Sequence, residues 1–110
     1  VVLPRVAGNE MDFYRYNPEQ MSVGAFGISE PQDKLPIDPA EIDVIIVPGV
    51  AFTHSGKRCG RGKGYYDKLL PFLSSYNIGI CYQFQAREAI PSEPFDKKMD
   101  EVWTEEGRLY

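Results

Sequence analysis

The chain has 110 residues and a net charge of −4, and 43% of its residues are hydrophobic. This length suits one domain, and the hydrophobic fraction is enough for a core, which excludes wholesale disorder. The acidity argues against a nucleic-acid-binding protein, and no apolar run is long enough to cross a membrane. Two cysteines are too few for a disulfide scaffold, which indicates reduced thiols and a cytoplasmic protein.

Short extended segments are predicted at the beginning of the chain. Residues 1–6 and 11–16 are rich in β-branched and aromatic residues, and a Gly-Asn pair between them is a turn signal. Residues 22–28 are small and apolar, which predicts another extended piece. Three prolines in residues 29–39 indicate a surface loop, followed by one helical turn at 39–42.

The clearest predicted element is a strand at residues 43–47. Its four consecutive β-branched residues predict a strand buried on both faces in the centre of a parallel sheet. A helix is predicted at 64–75, bent or divided by Pro71, and a second apolar strand follows at 77–82. This order is a βαβ unit with parallel strands. A last strand is predicted at 102–104, so we expect an α/β fold of three layers with a mostly parallel sheet.

A basic, glycine-rich segment lies between the two strands of this unit. Residues 57–68 contain five Lys and Arg side chains and one Asp, although the chain as a whole is acidic. Ligands of open α/β sheets bind at the carboxyl ends of the strands, where main-chain N–H groups and a helix N-terminus attract anions. Glycines allow close approach of the backbone, and arginine can bind two phosphate oxygens at once. The residues that form this pattern are Arg58, Gly60, Arg61, Gly62, Lys63 and Gly64.

The segment predicts a polyphosphate site, with a structural turn on a basic surface as the alternative. Neither of the common phosphate-binding motifs, G-x-x-x-x-G-K-[ST] and G-x-G-x-x-G, is present. Asp67 is a candidate Mg²⁺ ligand, because carboxylates beside bound phosphates often hold this ion. It equally fits an acid that stabilises the helix N-terminus, or a salt bridge to Lys63 or Lys68. His54 is interpreted as a surface residue or a proton shuttle.

Residues 48–67, PGVAFTHSGKRCGRGKGYYD, resemble the signature of the 5-formyltetrahydrofolate cyclo-ligases, also called methenyltetrahydrofolate synthetases. The family pattern is close to P-G-x-A-F-D-x-x-G-x-R-L-G-x-G-x-G-Y-Y-D. Thr53 departs from it by removing a charge, and Cys59 replaces a leucine. Segments near both ends of the chain also resemble the family. Because family members are nearly twice as long, we expect residues 1–110 to form a single but incomplete domain, the carboxyl-terminal portion.

The resemblance implies an ATP-driven ring closure. ATP phosphorylates the formyl oxygen of 5-formyltetrahydrofolate, a neighbouring nitrogen attacks the activated carbon, and phosphate leaves to give 5,10-methenyltetrahydrofolate. ATP is then a co-substrate and Mg²⁺ the cofactor, and the expected partners of the monomeric protein are these small molecules alone. The alternative is a truncated, non-catalytic module that binds nucleotide or phosphate.

The resemblance also implies roles for individual residues. Asp67 and Asp96 are expected to bind Mg²⁺, and Arg61 and Tyr65 are the expected catalytic residues. Of the two neighbouring tyrosines, Tyr65 is expected to face the ligand, while one of the pair packs. The residues expected to bind ATP are Arg58, Cys59, Gly60, Arg61, Gly62, Lys63, Gly64, Tyr65 and Tyr66. Those expected to bind the folate are Arg61, Gly62, Lys63, Gly64 and Tyr65.

Overall fold

The computed structural model describes residues 1–8, 10–16, 19, 21–23, 29–31, 36–60, 64–90 and 97–110. It contains two compact units, residues 1–41 and 42–110. The single domain expected over the whole chain therefore stays a prediction. Among the described residues, no helix is long and apolar enough to span a membrane.

The first unit contains two antiparallel strand pairs. Strands β1 (Val2–Ala7) and β2 (Glu10–Arg15) form a hairpin, which confirms the two strands predicted there. Strands β3 (Met21–Val23) and β4 (Ser29–Pro31) form the second pair. β3 confirms the beginning of the extended piece predicted at 22–28, and residues 24–28 lie outside the described part.

The prediction of a loop at residues 29–39 is wrong for its first three residues, which form β4. The prolines of this region suggested a loop, but Pro31 ends a strand of a two-stranded sheet, and such edge strands tolerate a missing N–H group. The helical turn expected at 39–42 is confirmed as a 3₁₀ turn, Pro39–Glu41.

The second unit contains the elements that surround the basic segment. In chain order they are β5 (Val44–Pro48), β6 (Ala51–Thr53), β7 (Arg58–Cys59), α1 (Tyr65–Leu69), β8 (Tyr76–Ile80), β9 (Ala86–Arg87), β10 (Glu101–Thr104) and β11 (Gly107–Arg108). Four of the strands form a sheet in the order β11-β10-β8-β5, and three form another in the order β7-β6-β9. β5 and β10 both pair with β8 in parallel, which confirms the predicted parallel strands and the α/β fold class.

The burial predicted for β5 is wrong. Ile45 and Val47 are buried, but Val44 and Ile46 are 53% and 52% exposed. β5 is the last strand in the order of its sheet, and the described residues leave one face of that sheet exposed. The run of β-branched residues therefore predicted the strand correctly but did not predict which of its side chains are buried.

The predicted helix is shorter than expected. α1 ends at Leu69 and passes into a 3₁₀ turn, Leu70–Phe72, because Pro71 has no N–H group to continue the α-helical pattern. The Lys97 ammonium donates hydrogen bonds to the carbonyl oxygens of Leu70, at 3.2 Å, and Leu73, at 2.6 Å. These bonds satisfy carbonyl groups at the end of the helical region.

The core of the second unit joins its two sheets. Phe52 of β6 is fully buried, and its ring lies so close to Gly79 of β8 that a Cβ atom there would approach it to 2.5 Å. This contact fixes the hairpin of β6 and β7, which carries the start of the basic segment, against the parallel sheet. The buried apolar residues of this cluster are Ile45, Val47, Phe52, Leu70, Met99 and Val102.

Candidate functional site

The basic segment follows the carboxyl end of a parallel strand, as the sequence predicted. β5 ends at Pro48, and the chain then forms the antiparallel hairpin of β6 and β7. The N–H group of Val50 donates to the carbonyl oxygen of Cys59 at 2.8 Å, which closes the base of the hairpin. The start of the segment thus lies on a hydrogen-bonded support at the sheet edge where α/β proteins commonly bind ligands.

Thr53 organises the turn of this hairpin. It is 1% exposed, and its hydroxyl oxygen accepts hydrogen bonds from the N–H groups of Lys57, at 3.0 Å, and Ser55, at 3.3 Å. Its own N–H group donates to the carbonyl oxygen of Lys57 at 2.9 Å. Thr53 lacks the charge of the aspartate in the family pattern. Its hydroxyl oxygen nevertheless binds main-chain N–H groups, which a carboxylate oxygen can also do. His54 lies exposed in the same turn.

The guanidinium of Arg58 is held by the protein. Its Nε donates to the carbonyl oxygen of Pro48 at 2.6 Å, and Nη1 donates to Oδ1 of Asp67 at 3.3 Å. The Arg58 side chain is 8% exposed, and its guanidinium carbon lies 5.0 Å from the centre of the Tyr66 ring. Burial lowers the pKa of Arg58 below its ordinary value, and the charge of Asp67 opposes this effect.

The structure describes a salt bridge between Asp67 and Arg58 on the neighbouring hairpin. The sequence suggested Lys68 or Lys63, and Lys63 lies outside the described residues. Helical spacing favours partners on the same helix, and only the tertiary structure brings the two elements together. The Asp67 side chain is 52% exposed, so its carboxylate remains accessible to a ligand.

The two tyrosines at the start of α1 have different surroundings. Tyr66 packs against the core, which confirms that one of the pair packs. Burial raises the pKa of the Tyr66 phenol, and the nearby charge of Arg58 lowers it by a smaller amount. Tyr66 therefore remains a neutral phenol at ordinary pH. The ligand-facing role of Tyr65 stays a prediction.

Glycine is required at the start of the helix. Gly64 immediately precedes α1 with φ of 74°, in the left-handed region, which glycine adopts without steric cost. α1 itself has five residues, so it contributes less of a helix dipole to anion binding than the predicted twelve-residue helix would.

The structure brings together many of the predicted site residues. Arg61, Gly62, Lys63 and Asp96 lie outside the described part of the chain. The described candidates that lie on the hairpin and the start of α1 are Arg58, Cys59, Gly60, Gly64, Tyr65, Tyr66 and Asp67. Within the described ranges, no three His, Cys, Asp or Glu side chains cluster as metal ligands, so the Mg²⁺ assignment stays a prediction.

Sequence reasoning did not find two groups that border the site. The Pro48 carbonyl oxygen is a partner of Arg58, and Gln85 Nε2 donates to the carbonyl oxygen of Val50 at 3.0 Å. Every residue has a main-chain carbonyl oxygen, so the residue type at position 48 does not predict this contact. Gln85 is far from Val50 in the sequence. Both contacts therefore depend on the folded arrangement.

Comparison with known proteins decides the family. A family model described as the 5-formyltetrahydrofolate cyclo-ligase family matches residues 1–105. The chain belongs to this family. The resemblance of residues 48–67 to a cyclo-ligase signature is thereby confirmed.

Individual cyclo-ligases and synthetases match most of the chain. It is 32% identical to a probable 5-formyltetrahydrofolate cyclo-ligase of Schizosaccharomyces pombe, over 96% of the chain and 61% of the yeast protein. The solution structure of Aquifex aeolicus 5,10-methenyltetrahydrofolate synthetase matches with a TM-score of 0.81 and 44% identity, over 97% of this chain and 56% of that one. A Mycoplasma pneumoniae 5,10-methenyltetrahydrofolate synthetase matches with a TM-score of 0.69 and 30% identity, over 92% and 53%. The chain thus spans somewhat more than half the length of these cyclo-ligase family members.

Proposed function

We propose that this chain carries the nucleotide- and folate-binding part of a 5-formyltetrahydrofolate cyclo-ligase. The observation that carries the proposal is the family match over residues 1–105, which includes the whole basic segment. The two kinds of name among the relatives refer to the same proposed reaction. The name cyclo-ligase gives its substrate, 5-formyltetrahydrofolate, and the name synthetase gives its product, 5,10-methenyltetrahydrofolate. The reaction proposed for the complete protein is this ring closure, driven by ATP.

The basic segment fits the needs of phosphoryl transfer. This chemistry depends mainly on positioning and on stabilising negative charge, and it requires no covalent nucleophile. In the proposal, the backbone of residues 58–66 surrounds the triphosphate of ATP, and Arg61 and Lys63 supply positive charge. The concentration of basic residues here in an acidic chain supports this assignment.

The folate is proposed to bind beside the transferred phosphoryl group. Residues 61–65 face it, with Tyr65 orienting the folate and Arg61 balancing the charge that develops on the phosphorylated formyl oxygen. Ring closure follows when the neighbouring nitrogen displaces phosphate from the activated carbon. Tyr66 packs against the core, so Tyr65 is the proposed ligand contact of the pair.

The carboxylate of Asp67 is a suitable ligand for Mg²⁺. Its carboxylate is half exposed, its Oδ1 accepts a hydrogen bond from Arg58, and a carboxylate oxygen is the kind of ligand that Mg²⁺ prefers. Asp67 and Asp96 are the proposed ligands. When bound, the ion would neutralise charge on the phosphates of ATP.

A turnover experiment tests the proposal. The formation of 5,10-methenyltetrahydrofolate is followed by its absorbance in the presence of ATP, Mg²⁺ and 5-formyltetrahydrofolate. The assay compares the chain alone with a fusion to the part of the Aquifex aeolicus synthetase that has no counterpart in it. We expect product with the fusion, and a loss of at least tenfold in kcat/KM when Arg61 is replaced by Ala. Absence of product and of ATP binding in both proteins would contradict the proposal.

A second candidate is a nucleotide-binding module without turnover. The chain matches 56% of the Aquifex aeolicus synthetase, so groups contributed by the rest of that protein have no counterpart in these residues. Calorimetric titration with ATP distinguishes the candidates. Saturable ATP binding without product in either protein supports the module, whereas product formation supports the cyclo-ligase.

A further inference from the structure

Arg58 contributes positive charge to the basic segment, but its guanidinium faces protein groups. Nε contacts the Pro48 carbonyl oxygen at 2.6 Å, and Nη1 contacts the Asp67 carboxylate at 3.3 Å. The Tyr66 ring lies 5.0 Å away, and 8% of the side chain is exposed. A direct phosphate ligand is expected to present its donors to the ligand, but two of the five N–H donors of Arg58 already bind protein oxygens and the side chain is nearly buried.

The partners of Arg58 belong to different structural elements. Pro48 is the last residue of β5, Tyr66 and Asp67 lie in the first turn of α1, and Arg58 itself is on β7. One guanidinium therefore connects the end of a sheet strand, the hairpin and the helix. Arginine suits this task because its planar group offers several donors in fixed directions, which lysine does not.

Gly60 lies directly against this group. A Cβ atom at position 60 would lie 2.9 Å from Nη1 and 3.1 Å from Nη2 of Arg58. The end of a free arginine side chain could move aside, but this one is held by Pro48, Asp67 and Tyr66. A side chain at position 60 would therefore displace the guanidinium from its partners while leaving every charge of the segment in place.

We propose that Arg58 is a positioning residue of the candidate nucleotide site. Its guanidinium fixes α1, together with Gly64 before it, relative to Gly60 and the end of β5. Direct contact with phosphate falls to other basic groups of the segment. This inference rests on the proposed function, because it assigns a role within the same site.

Nucleotide titrations test the inference. The affinity of the 110-residue chain for ATP is measured calorimetrically in EDTA, which removes any contribution of Asp67 through a metal. We expect Arg58→Gln and Arg58→Lys to weaken ATP binding by about 10- to 100-fold, because lysine cannot replace the fork of hydrogen bonds. Gly60→Ala is expected to weaken binding in the same direction without any change of charge.

Asp67→Asn separates positioning from direct contact. If Asp67 anchors Arg58, its replacement weakens ATP binding in EDTA, and the Arg58→Gln/Asp67→Asn double variant is no weaker than Arg58→Gln alone. If Arg58 is a phosphate ligand, removing the neighbouring negative charge strengthens binding, Gly60→Ala has no effect, and the double variant shows independent effects. That second set of results overturns the inference.

Amide chemical shifts of the ATP-free chain provide a readout that does not depend on binding. Arg58→Lys and Gly60→Ala should perturb the same ¹H–¹⁵N signals of Tyr65–Leu69, since both release α1 from the guanidinium. Unchanged signals in α1 overturn the positioning role. If the chain alone does not bind ATP, the same titrations are made with the fusion to the Aquifex aeolicus part, and absence of ATP binding by both proteins removes the proposed function and this inference with it. If Arg58→Gln does not fold, the comparison rests on Gly60→Ala and Arg58→Lys.

Discussion

Thr53 holds the turn before the basic segment through a single hydroxyl oxygen. The oxygen is buried and accepts the N–H groups of Ser55 and Lys57. Each of these hydrogen bonds is expected to contribute about 1 kcal/mol of net stability. Thr53 thus lacks the charge of the family pattern but has a hydrogen-bonding role in this turn.

Replacing Thr53 by Val tests this role. Valine keeps the shape of the side chain but removes the oxygen that accepts the N–H groups of Ser55 and Lys57, so we expect the free energy of unfolding to fall by about 2 kcal/mol, or about 1 kcal/mol for each lost hydrogen bond. Thr53→Ser keeps the oxygen and loses one methyl group, which is expected to cost about 1 kcal/mol. Urea denaturation of both variants measures the difference. Equal losses, or a larger loss for the serine variant, would show that packing outweighs the hydrogen bonds.

At the scale of the elements, Glu101 links the parallel strands β8 and β10. Its carboxylate accepts hydrogen bonds from the Tyr76 hydroxyl and the Trp103 indole N–H. These bonds favour the ionised form and lower the pKa of Glu101 below its ordinary value. The hydrogen bond to Glu101 is also the main reason that the pKa of Tyr76 is raised.

The lowered pKa of Glu101 predicts an acid-dependent contribution to stability. Because the folded pKa lies below the unfolded value of about 4.3, the contribution is complete above that pH and is lost as the pH falls through the folded pKa. Thermal unfolding of the chain and of Glu101→Gln between pH 3 and pH 7 measures it. We expect the difference in melting temperature to be largest near pH 6 and to shrink at pH 3. A difference that is independent of pH would contradict this assignment.

At the scale of the whole molecule, the second unit exposes an apolar sheet face. Val44 and Ile46 of β5 lie in register with Tyr76 and Ile78 of β8, and Trp103 of β10 pairs with Ile80. All of these except Ile78 are among the exposed large hydrophobic residues. Parallel sheets are normally covered on both faces, so this exposed face is the strongest departure from the burial that the sequence predicted.

A substitution at Ile46 measures the consequence of this exposure. Ile46→Lys is expected to reduce the fluorescence of a dye that binds apolar surfaces, because it places a charge on the exposed face. The free energy of unfolding should change by only about 0.5 kcal/mol, since the side chain is already half exposed. Ile46→Val is the matched control and should leave dye binding nearly unchanged. A large loss of stability in the lysine variant would show that this face is buried in solution.

The sequence by itself determined the family, the βαβ unit and the location of the candidate site. Residues 48–67 match a long motif, and the β-branched run before them favours a strand, as the structure has it. Pro71 likewise acts locally, so the break in the helix was predictable although its early end was not. These features depend on residue type and spacing, which the sequence states directly.

The tertiary structure alone decided which groups meet. Arg58 and Asp67 pair across the boundary between a hairpin and a helix, and the third partner is the main-chain oxygen of Pro48. The exposure of Val44 and Ile46 likewise depends on which elements cover β5, and the strand's own residues do not encode that. Long-range contacts and burial are properties of the packed arrangement, so residue type and spacing constrain them without specifying them.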